Sequence, residues 1–402
     1  MKTIFLAAGK SSRIQPISNK NLLKFMGKPL IIHLLENAQK GGLKNFIIVC
    51  NKDNKEVFEK ILQQGNITAE FVLQPNLEDG VAGGVLAGLT RVKNNEPVFI
   101  LGGNDYIDPK IYQQIITESK GIQGGILAKT VKTYFPGGYL KVDENNIIKE
   151  IQEKPGEGNE PSNLVNIMAH YFVSSDDLKT ALSKAQSSKD DVYETALQNL
   201  FKTQTFKAVS YQNYWQAVKY PWHVLDMKDQ IMKQNIQNIS IHPTAEVSEK
   251  ATLIGENIFI EAGVKIMNNA TICGPCYIGK NTIIGQNTLI RQSNIGDNCV
   301  IGFNSEICRS FLADKVSTHA AYIGDSVVDS EVNFGAYSVT TNLRLDTKNV
   351  KVKIKDQLID SKKEKLGSIV GKGAQIGSGA KIMPGRKINP NQLIAPNTVL
   401  IK

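Results

Sequence analysis

The sequence predicts two folds in tandem: an α/β domain on an open, mostly parallel sheet, and then a parallel β-helix of hexapeptide repeats. Two observations predict them. Through the first half, short apolar runs alternate with segments of helical spacing, and from about Ile241 aliphatic residues recur at every sixth position. Length agrees, since 402 residues exceed one ordinary core at about 150 residues per domain.

In chain order, "TIFLAA", "NFIIVC", "EFVLQ", "PVFILGG" and "GGILAKT" read as buried strands. Between them, "PLIIHLLENAQKGG" and "NKEVFEKILQQG" place apolar residues three and four apart and end in glycine, as helices do. Strand alternating with helix implies a parallel sheet that takes ligands at the carboxyl ends of its strands. The stretch "GGYLKVDENNIIKEIQEKP" reads instead as an antiparallel hairpin beside the main sheet. A helix opening after Pro221, in "YPWHVLDMKDQIMKQNIQ", reads as a linker (223–239) between a first domain (1–222) and a second (240–402).

In the second domain Ile254, Ile260, Ile266, Ile272, Ile278, Ile284 and Ile290 fall six apart, and after a one-residue slip Ile295, Ile301 and Ile307 continue. The interval returns in Val370, Ile376, Ile382, Ile388, Ile394 and Leu400. Neither a helix nor a flat strand has a period of six, whereas a triangular β-helix with one hexapeptide per side does. The basic stretch "NLRLDTKNVKVKIKDQLIDSKKEKLG" interrupts the period and is predicted to leave the ladder as a loop.

The 47 basic and 38 acidic residues give a net charge of +9, which suits anionic small ligands, and no lysine or arginine run is dense enough to indicate nucleic acid. Five cysteines, an odd number in a long chain, argue against a disulfide framework and for a reducing compartment. The N-terminus opens on a strand without the order of a signal peptide, and no apolar run is long enough to span a membrane, so a cytoplasmic protein is expected. "TICGPCYIG" contains the tetrapeptide of thioredoxin-like redox sites, but Cys273 and Cys276 lie between Ile272 and Ile278, in register with the hexapeptides. They read as turn residues of one coil.

The chemistry is predicted to start at "LAAGKSSRI". A strand ending in Leu6, Ala7, Ala8 and Gly9 offers small side chains and backbone groups to a base and its phosphates. The following loop carries Lys10, Arg13, Lys20, Lys24 and Lys28, more cations than a strand-to-helix turn requires. Polyphosphate is the simplest partner, and a solvated lysine-rich loop is the alternative.

With "NKNLLKFMGKPLI" added, this stretch resembles the signature of sugar-1-phosphate nucleotidyltransferases, and the resemblance implies a Rossmann-like domain. Lys20 matches the family's phosphate-binding lysine. In "VLQPNLEDGVAGGV", Gln74 matches the residue that reads the pyrimidine edge and Gly80 begins the family's Gly-Thr pair, here Gly80-Val81. "ILGGNDYI" resembles the strand end with the metal-binding aspartate, assigned to Asp105 with Asn104 as the competing register. "FPGGYLKVD", "QEKP" and "SNLVNIMAHYF" resemble the sugar-binding elements and imply Gly138, Glu153, Lys154 and Asn166 as sugar-phosphate contacts. The implied reaction joins a nucleoside triphosphate (UTP or dTTP) to a sugar-1-phosphate, with Mg²⁺ on Asp105 and Arg13 and Lys20 holding the leaving pyrophosphate. Glucose-1-phosphate and N-acetylglucosamine-1-phosphate are the leading acceptors.

The second domain has its own resemblance. "STHAAYIGDSVVDSEVNFGAYSVTTNLRLD" is similar to the acetyltransferase centre of bifunctional enzymes that make UDP-N-acetylglucosamine, including archaeal-type relatives. It implies a left-handed β-helix, His319 as general base, Tyr322, Asn333 and Asn342 as acceptor-sugar contacts, Arg291 as a phosphate contact and acetyl-CoA as co-substrate. It also implies a homotrimer through the β-helix.

Some positions depart from the family patterns. In "NYWQAVKYPWHVLD" the residue two after the tryptophan, an aspartate and second metal ligand in the family, is Ala217. Serines 11 and 12 replace a glycine and a threonine, and Lys315 stands one residue off the family's lysine. Three readings follow: a bifunctional enzyme, a nucleotidyltransferase with a scaffold β-helix, or a non-catalytic nucleotide-sugar binder.

Overall fold

The computed structural model describes residues 1–401. It divides into two compact units, one of Met1–Lys10 with Ile31–Trp215, the other of Ser11–Leu30 with the chain from Gln216 onward.

The first unit is built on a nine-stranded sheet. Its central strand, Lys2–Leu6, runs parallel to Phe46–Cys50 on one side and Val98–Gly102 on the other, and Ala69–Leu73 extends the parallel part. All five residues of Phe46–Cys50 are buried, which explains the unbroken apolar run: helices cover both faces, so no position faces water. Beyond Val98–Gly102 the sheet turns antiparallel through Leu164–Phe172, which also pairs Gly124–Thr130. The predicted hairpin forms from Gly138–Val142 and Ile148–Glu153 at that edge. The two predicted helices occupy Leu30–Lys40 and Lys55–Gln64.

A further helix, Gly80–Leu89, places glycines at 84 and 88 against the central strand, and that is why it lies so close to it. A Cβ added at Gly88 would stand 2.6 Å from Ile4 Cγ2, and one at Gly84 would stand 3.3 Å from Leu6 Cδ2. Larger residues there would lift the helix off the sheet and widen the strand-end cleft beneath it.

The second unit is a left-handed parallel β-helix of three eight-stranded sheets. Ile260, Ile278, Ile295, Leu312, Val328, Val370 and Ile388 stack in register along one sheet, each fully buried. The predicted excursion leaves the ladder after Val339–Thr340 as a hairpin of Lys351–Ile354 and Gln357–Asp360, and the coil resumes at Ile369–Val370. One ladder position is corrected. Ile254 is exposed, because Leu253 pairs with Ile272 and Ile254 with Cys273, so Leu253 takes the inward place. Pairing steps from 19 residues at Ile254 to 18 at Ile258, so the segment between them carries one extra residue, and the inward position falls on Leu253 although Ile254 and Ile260 stay six apart.

The helix predicted after Pro221 spans His223–Asn235. Its buried Lys228 donates from Nζ to the Gln292 carbonyl at 2.6 Å, and Lys363 of the excursion reaches Asp226 at 2.6 Å, so the helix is fastened to the β-helix.

Candidate active sites

In the first unit the carboxyl ends of the parallel strands converge. The Ala7 amide donates to Val49 O, while Asn54 and Asn51, from the loop after Phe46–Cys50, donate from Nδ2 to the carbonyls of Ala7 (2.9 Å) and Ala8 (2.8 Å). These buried asparagines, which motif reading passed over, hold the Leu6–Gly9 segment in place. At Gly9 the position of a Cβ has no atom within 4 Å, so the backbone there faces open space.

Gln74 is nearly buried, and its amide is oriented. Nε2 donates to the carbonyls of Asn76 (3.0 Å) and Gly80 (2.9 Å), which uses both N–H groups and leaves Oε1 as an acceptor. That oxygen lies 3.2 Å from where a Cβ on Gly84 would be, beside Gly83, so the glycines keep space at the acceptor. Gly80 itself adopts φ +54 at the entrance to the helix, a conformation that favours glycine.

Asp105 begins the strand Asp105–Ile107, and its Oδ1 accepts from the Trp215 indole N–H at 2.8 Å. Its Oδ2 lies 2.8 Å from where a Cβ on Gly102 would be, so Gly102 makes room for the carboxylate. Among the described residues no three acidic, histidine or cysteine side chains gather as a metal cage. Ala217 is buried and offers no donor. A lone carboxylate still fits a hard cation that keeps its waters and takes its remaining oxygens from a bound phosphate.

The four sugar-phosphate candidates come together. Glu153 Oε2 and Asn166 Nδ2 lie 3.2 and 3.5 Å from the position of a Cβ on Gly138, and Lys154, at φ +44, reaches back to Glu153 Oε1 at 2.9 Å. Asn166 is held in turn by His170, whose Nε2 meets Asn166 Oδ1 at 2.7 Å and whose Nδ1 meets Tyr193 OH at 2.8 Å. Burial lowers the His170 pKa to about 3, so the imidazole is neutral. Glu194 lies beside this group, its pKa raised to about 7 by burial and by the charge of Glu153. A cavity of about 400 Å³ lies between the Gly80–Leu89 helix, which lines it with Val81 and Gly83, and Glu153, Lys154, Asp190 and Glu194.

Arg13 and Lys20 fall in the second unit. Arg13 is exposed on the short helical turn Ser12–Ile14, and Lys20 opens the turn Lys20–Leu22, capped by Asn19.

On the β-helix, three of the candidates take part in one polar layer. Tyr322 OH accepts from Asn342 Nδ2 at 3.2 Å and from the Cys308 thiol at 3.5 Å, and Asn342 also donates to Asp325. Arg309 grips Asp325 through two hydrogen bonds of 2.7 Å, and Arg291 pairs with Glu306 at 2.8 Å. Arg309, Asp325, Glu306 and Cys308 were not legible as neighbours in the sequence, because coils 16 or 17 residues long stack them. His319 is exposed at the corner before Tyr322–Gly324, flanked on adjacent coils by Phe303, whose carbonyl accepts from Ala320, and by Tyr337, whose amide donates to the His319 carbonyl. Asn333 stands on a different sheet from Tyr322. Cys276 is fully buried and donates to the Cys273 carbonyl at 3.0 Å, and burial pushes its thiol up to about 12, as expected of a structural turn.

The profile described as "Nucleotidyl transferase" matches residues 2–226, the region that contains the cavity, Gln74 and Asp105. The chain belongs to the nucleotidyl transferase family. A second profile, "GMPPB C-terminal domain", matches residues 235–359 of the β-helix. A bifunctional sugar-1-phosphate nucleotidylyltransferase/acetyltransferase of Sulfurisphaera tokodaii is 31% identical over 382 residues, covering 92% of this chain and 90% of its own. The bifunctional protein GlmU of Methanocaldococcus jannaschii is 28% identical, covering 92% and 88%. A crystal structure of UDP-glucose pyrophosphorylase complexed with UDP-glucose superposes with a TM-score of 0.51 at 20% identity, over 58% of this chain and 99% of that one, and shares the first unit's fold.

This nucleotidyltransferase therefore matches full-length relatives across both of its folds, and the resemblance read from motifs is met by whole-chain similarity. Among the described residues no helix is long and apolar enough to cross a membrane. Asn51, Asn54 and Glu194 lie outside the motifs, and His170 and Trp215 lie inside quoted motifs without having been singled out. Only the buried asparagine spacing "NKDN" carried a local signal, that of a side-chain-capped loop.

Proposed function

We propose that this nucleotidyltransferase moves a uridylyl or thymidylyl group from UTP or dTTP to glucose-1-phosphate or N-acetylglucosamine-1-phosphate, releasing pyrophosphate. The observation that carries the pyrimidine assignment is the Gln74 amide: with both N–H groups committed to backbone carbonyls, Oε1 accepts from the ring N3–H that uracil and thymine share. Gly138, Glu153 and Asn166 receive the sugar hydroxyls, and Lys154 neutralises the sugar phosphate. The sugar-phosphate oxygen attacks the α-phosphorus in line, the bond to the β-phosphate breaks, and Arg13 and Lys20 take up the leaving pyrophosphate. Asp105, oriented by Trp215, would hold Mg²⁺, which when bound supplies charge neutralisation at the phosphates.

The second activity in this reading is N-acetylation of an amino-sugar-1-phosphate by acetyl-CoA on the β-helix. His319 takes the proton from the sugar ammonium, the freed amine attacks the thioester carbonyl, the C–S bond breaks, and the leaving CoA thiolate takes up the second amine proton as the thiol. Arg291, Tyr322, Asn333 and Asn342 are the acceptor-side residues. The resemblance implies a homotrimer through the β-helix, with the acyl-donor sites between neighbouring copies, in the cytoplasm. Ala217 favours a second reading, a nucleotide-sugar binder without turnover.

The test is pyrophosphate release across four nucleoside triphosphates and several sugar-1-phosphates. Turnover with the pyrimidines, lost in Gln74→Leu, is the expected result, and silence for every pair in the presence of Mg²⁺ overturns the reading. For the second site, His319→Ala is expected to abolish CoA release from acetyl-CoA and glucosamine-1-phosphate.

A further inference from the structure

The loop that carries Arg13 and Lys20 packs as part of the β-helix body, although the sequence places it inside the nucleotide-binding motif. Its attachments are specific and lie along one sheet. Lys24 Nζ is 2.6 Å from Asp314 Oδ2 and 3.7 Å from Asp297 Oδ2, two carboxylates stacked on successive coils. Phe25 is fully buried with its ring centroid 5.0 Å from that of Phe311. The Met26 amide donates to Asn294 Oδ1 at 2.9 Å. Gly27, at φ +73, lets the chain pass so close to Tyr277 that a Cβ would stand 2.5 Å from its hydroxyl. At the loop's start, Lys387 from a late coil donates to the Gln15 carbonyl at 3.4 Å.

A stretch that only bound phosphate would have no need of a charge partner, an aromatic partner and a backbone partner on three consecutive residues. Burial works against the charge of Lys24, yet Asp314 and Asp297 hold its pKa above the ordinary lysine range. We infer that Lys24 is a positioning residue for nucleotidyl transfer: clamped by Asp297 and Asp314, it makes the β-helix the mount on which the phosphate-handling residues Arg13 and Lys20 are carried. The inference rests on the proposed roles of Arg13 and Lys20.

The experiment uses the full chain and the variants Asp314→Asn, Asp297→Asn/Asp314→Asn and the swap Lys24→Asp/Asp314→Lys, with UTP and N-acetylglucosamine-1-phosphate. The expected result is a rise of roughly fivefold or more in the KM for UTP in the asparagine variants. The KM for the sugar phosphate and the rate of CoA release stay within about twofold, and the swap recovers part of the loss. An unchanged KM for UTP in a folded double variant overturns the inference. Hydrogen exchange of the 15–28 peptide gives a second arm that needs no turnover. Faster exchange there in Asp314→Asn, with the β-helix strands unchanged, supports the clamp, and identical exchange overturns it. If the wild type joins no nucleotide to any sugar phosphate, the functional reading fails while the exchange arm still decides the clamp.

Discussion

The indole N–H of Trp215 donates to Asp105 Oδ1 at 2.8 Å, so a residue near the end of the first unit's sequence orients a carboxylate at the start of the short strand Asp105–Ile107. In the proposed reading Asp105 would carry the protein's share of cation binding alone, since Ala217 offers no donor, and its orientation would then matter more than in a two-carboxylate site. Trp215→Phe keeps the ring and removes the donor. The expected outcome is a fall of about tenfold in kcat together with a higher Mg²⁺ concentration for half-maximal rate. A Mg²⁺ titration of pyrophosphate release checks it.

In the proposed sugar pocket Glu194 is expected to set a pH dependence. Its pKa is raised to about 7, by burial first and then by Glu153, so the carboxyl is neutral below that value and charged above it. A new negative charge beside Glu153 repels the sugar phosphate. The KM for the sugar phosphate is expected to rise between pH 6 and pH 8 in the wild type and to stay level in Glu194→Gln. Because the folded pKa is raised, the stability Glu194 contributes is present below the ordinary carboxyl range and is lost as pH rises through about 7.

His170 works in the opposite direction. Burial holds it neutral with a pKa lowered to about 3, so the unfolded chain binds a proton that the folded chain refuses. Stability is therefore lost as pH falls from about 6.5 toward 3. Thermal melts at pH 7, 6 and 5 are expected to show Tm falling with acidity in the wild type and falling less steeply in His170→Gln.

The β-helix ladder allows a paired comparison. Ile307 is fully buried, so Ile307→Ala is expected to cost about 2–5 kcal/mol in chemical denaturation. Ile254, which obeys the same six-residue count but is 52% exposed, is expected to change by less than about 0.5 kcal/mol on the same substitution.

That contrast marks what the sequence could and could not disclose. The hexapeptide period is a backbone repeat written once per side, so most of the ladder was legible. Ile254 was misplaced because one extra residue before Ile258 slips the register without disturbing the count between isoleucines. In the first unit, the strand–helix alternation and the antiparallel hairpin were legible, and Gly138, Glu153, Lys154 and Asn166, named from the family resemblance, come together in space. Trp215 on Asp105 and Arg309 on Asp325 were not legible, since each pair is made by tertiary or coil-to-coil stacking, and His170 meets Asn166 on the same strand where its register shifts. The anchoring of residues 11–30 was hidden for a related reason: the motif reports what the loop resembles, whereas Asp297 and Asp314 lie some 270 residues or more away in the chain.

The most direct measurement is steady-state pyrophosphate release from UTP and N-acetylglucosamine-1-phosphate, by the wild type and by Asp105→Ala, across a Mg²⁺ series. The prediction is Mg²⁺-dependent turnover in the wild type and a loss of at least about 100-fold in the variant at every Mg²⁺ concentration. Equal rates in the two proteins would contradict the central role given to Asp105, and no release by the wild type from any pyrimidine nucleotide and sugar-1-phosphate would contradict the account as a whole.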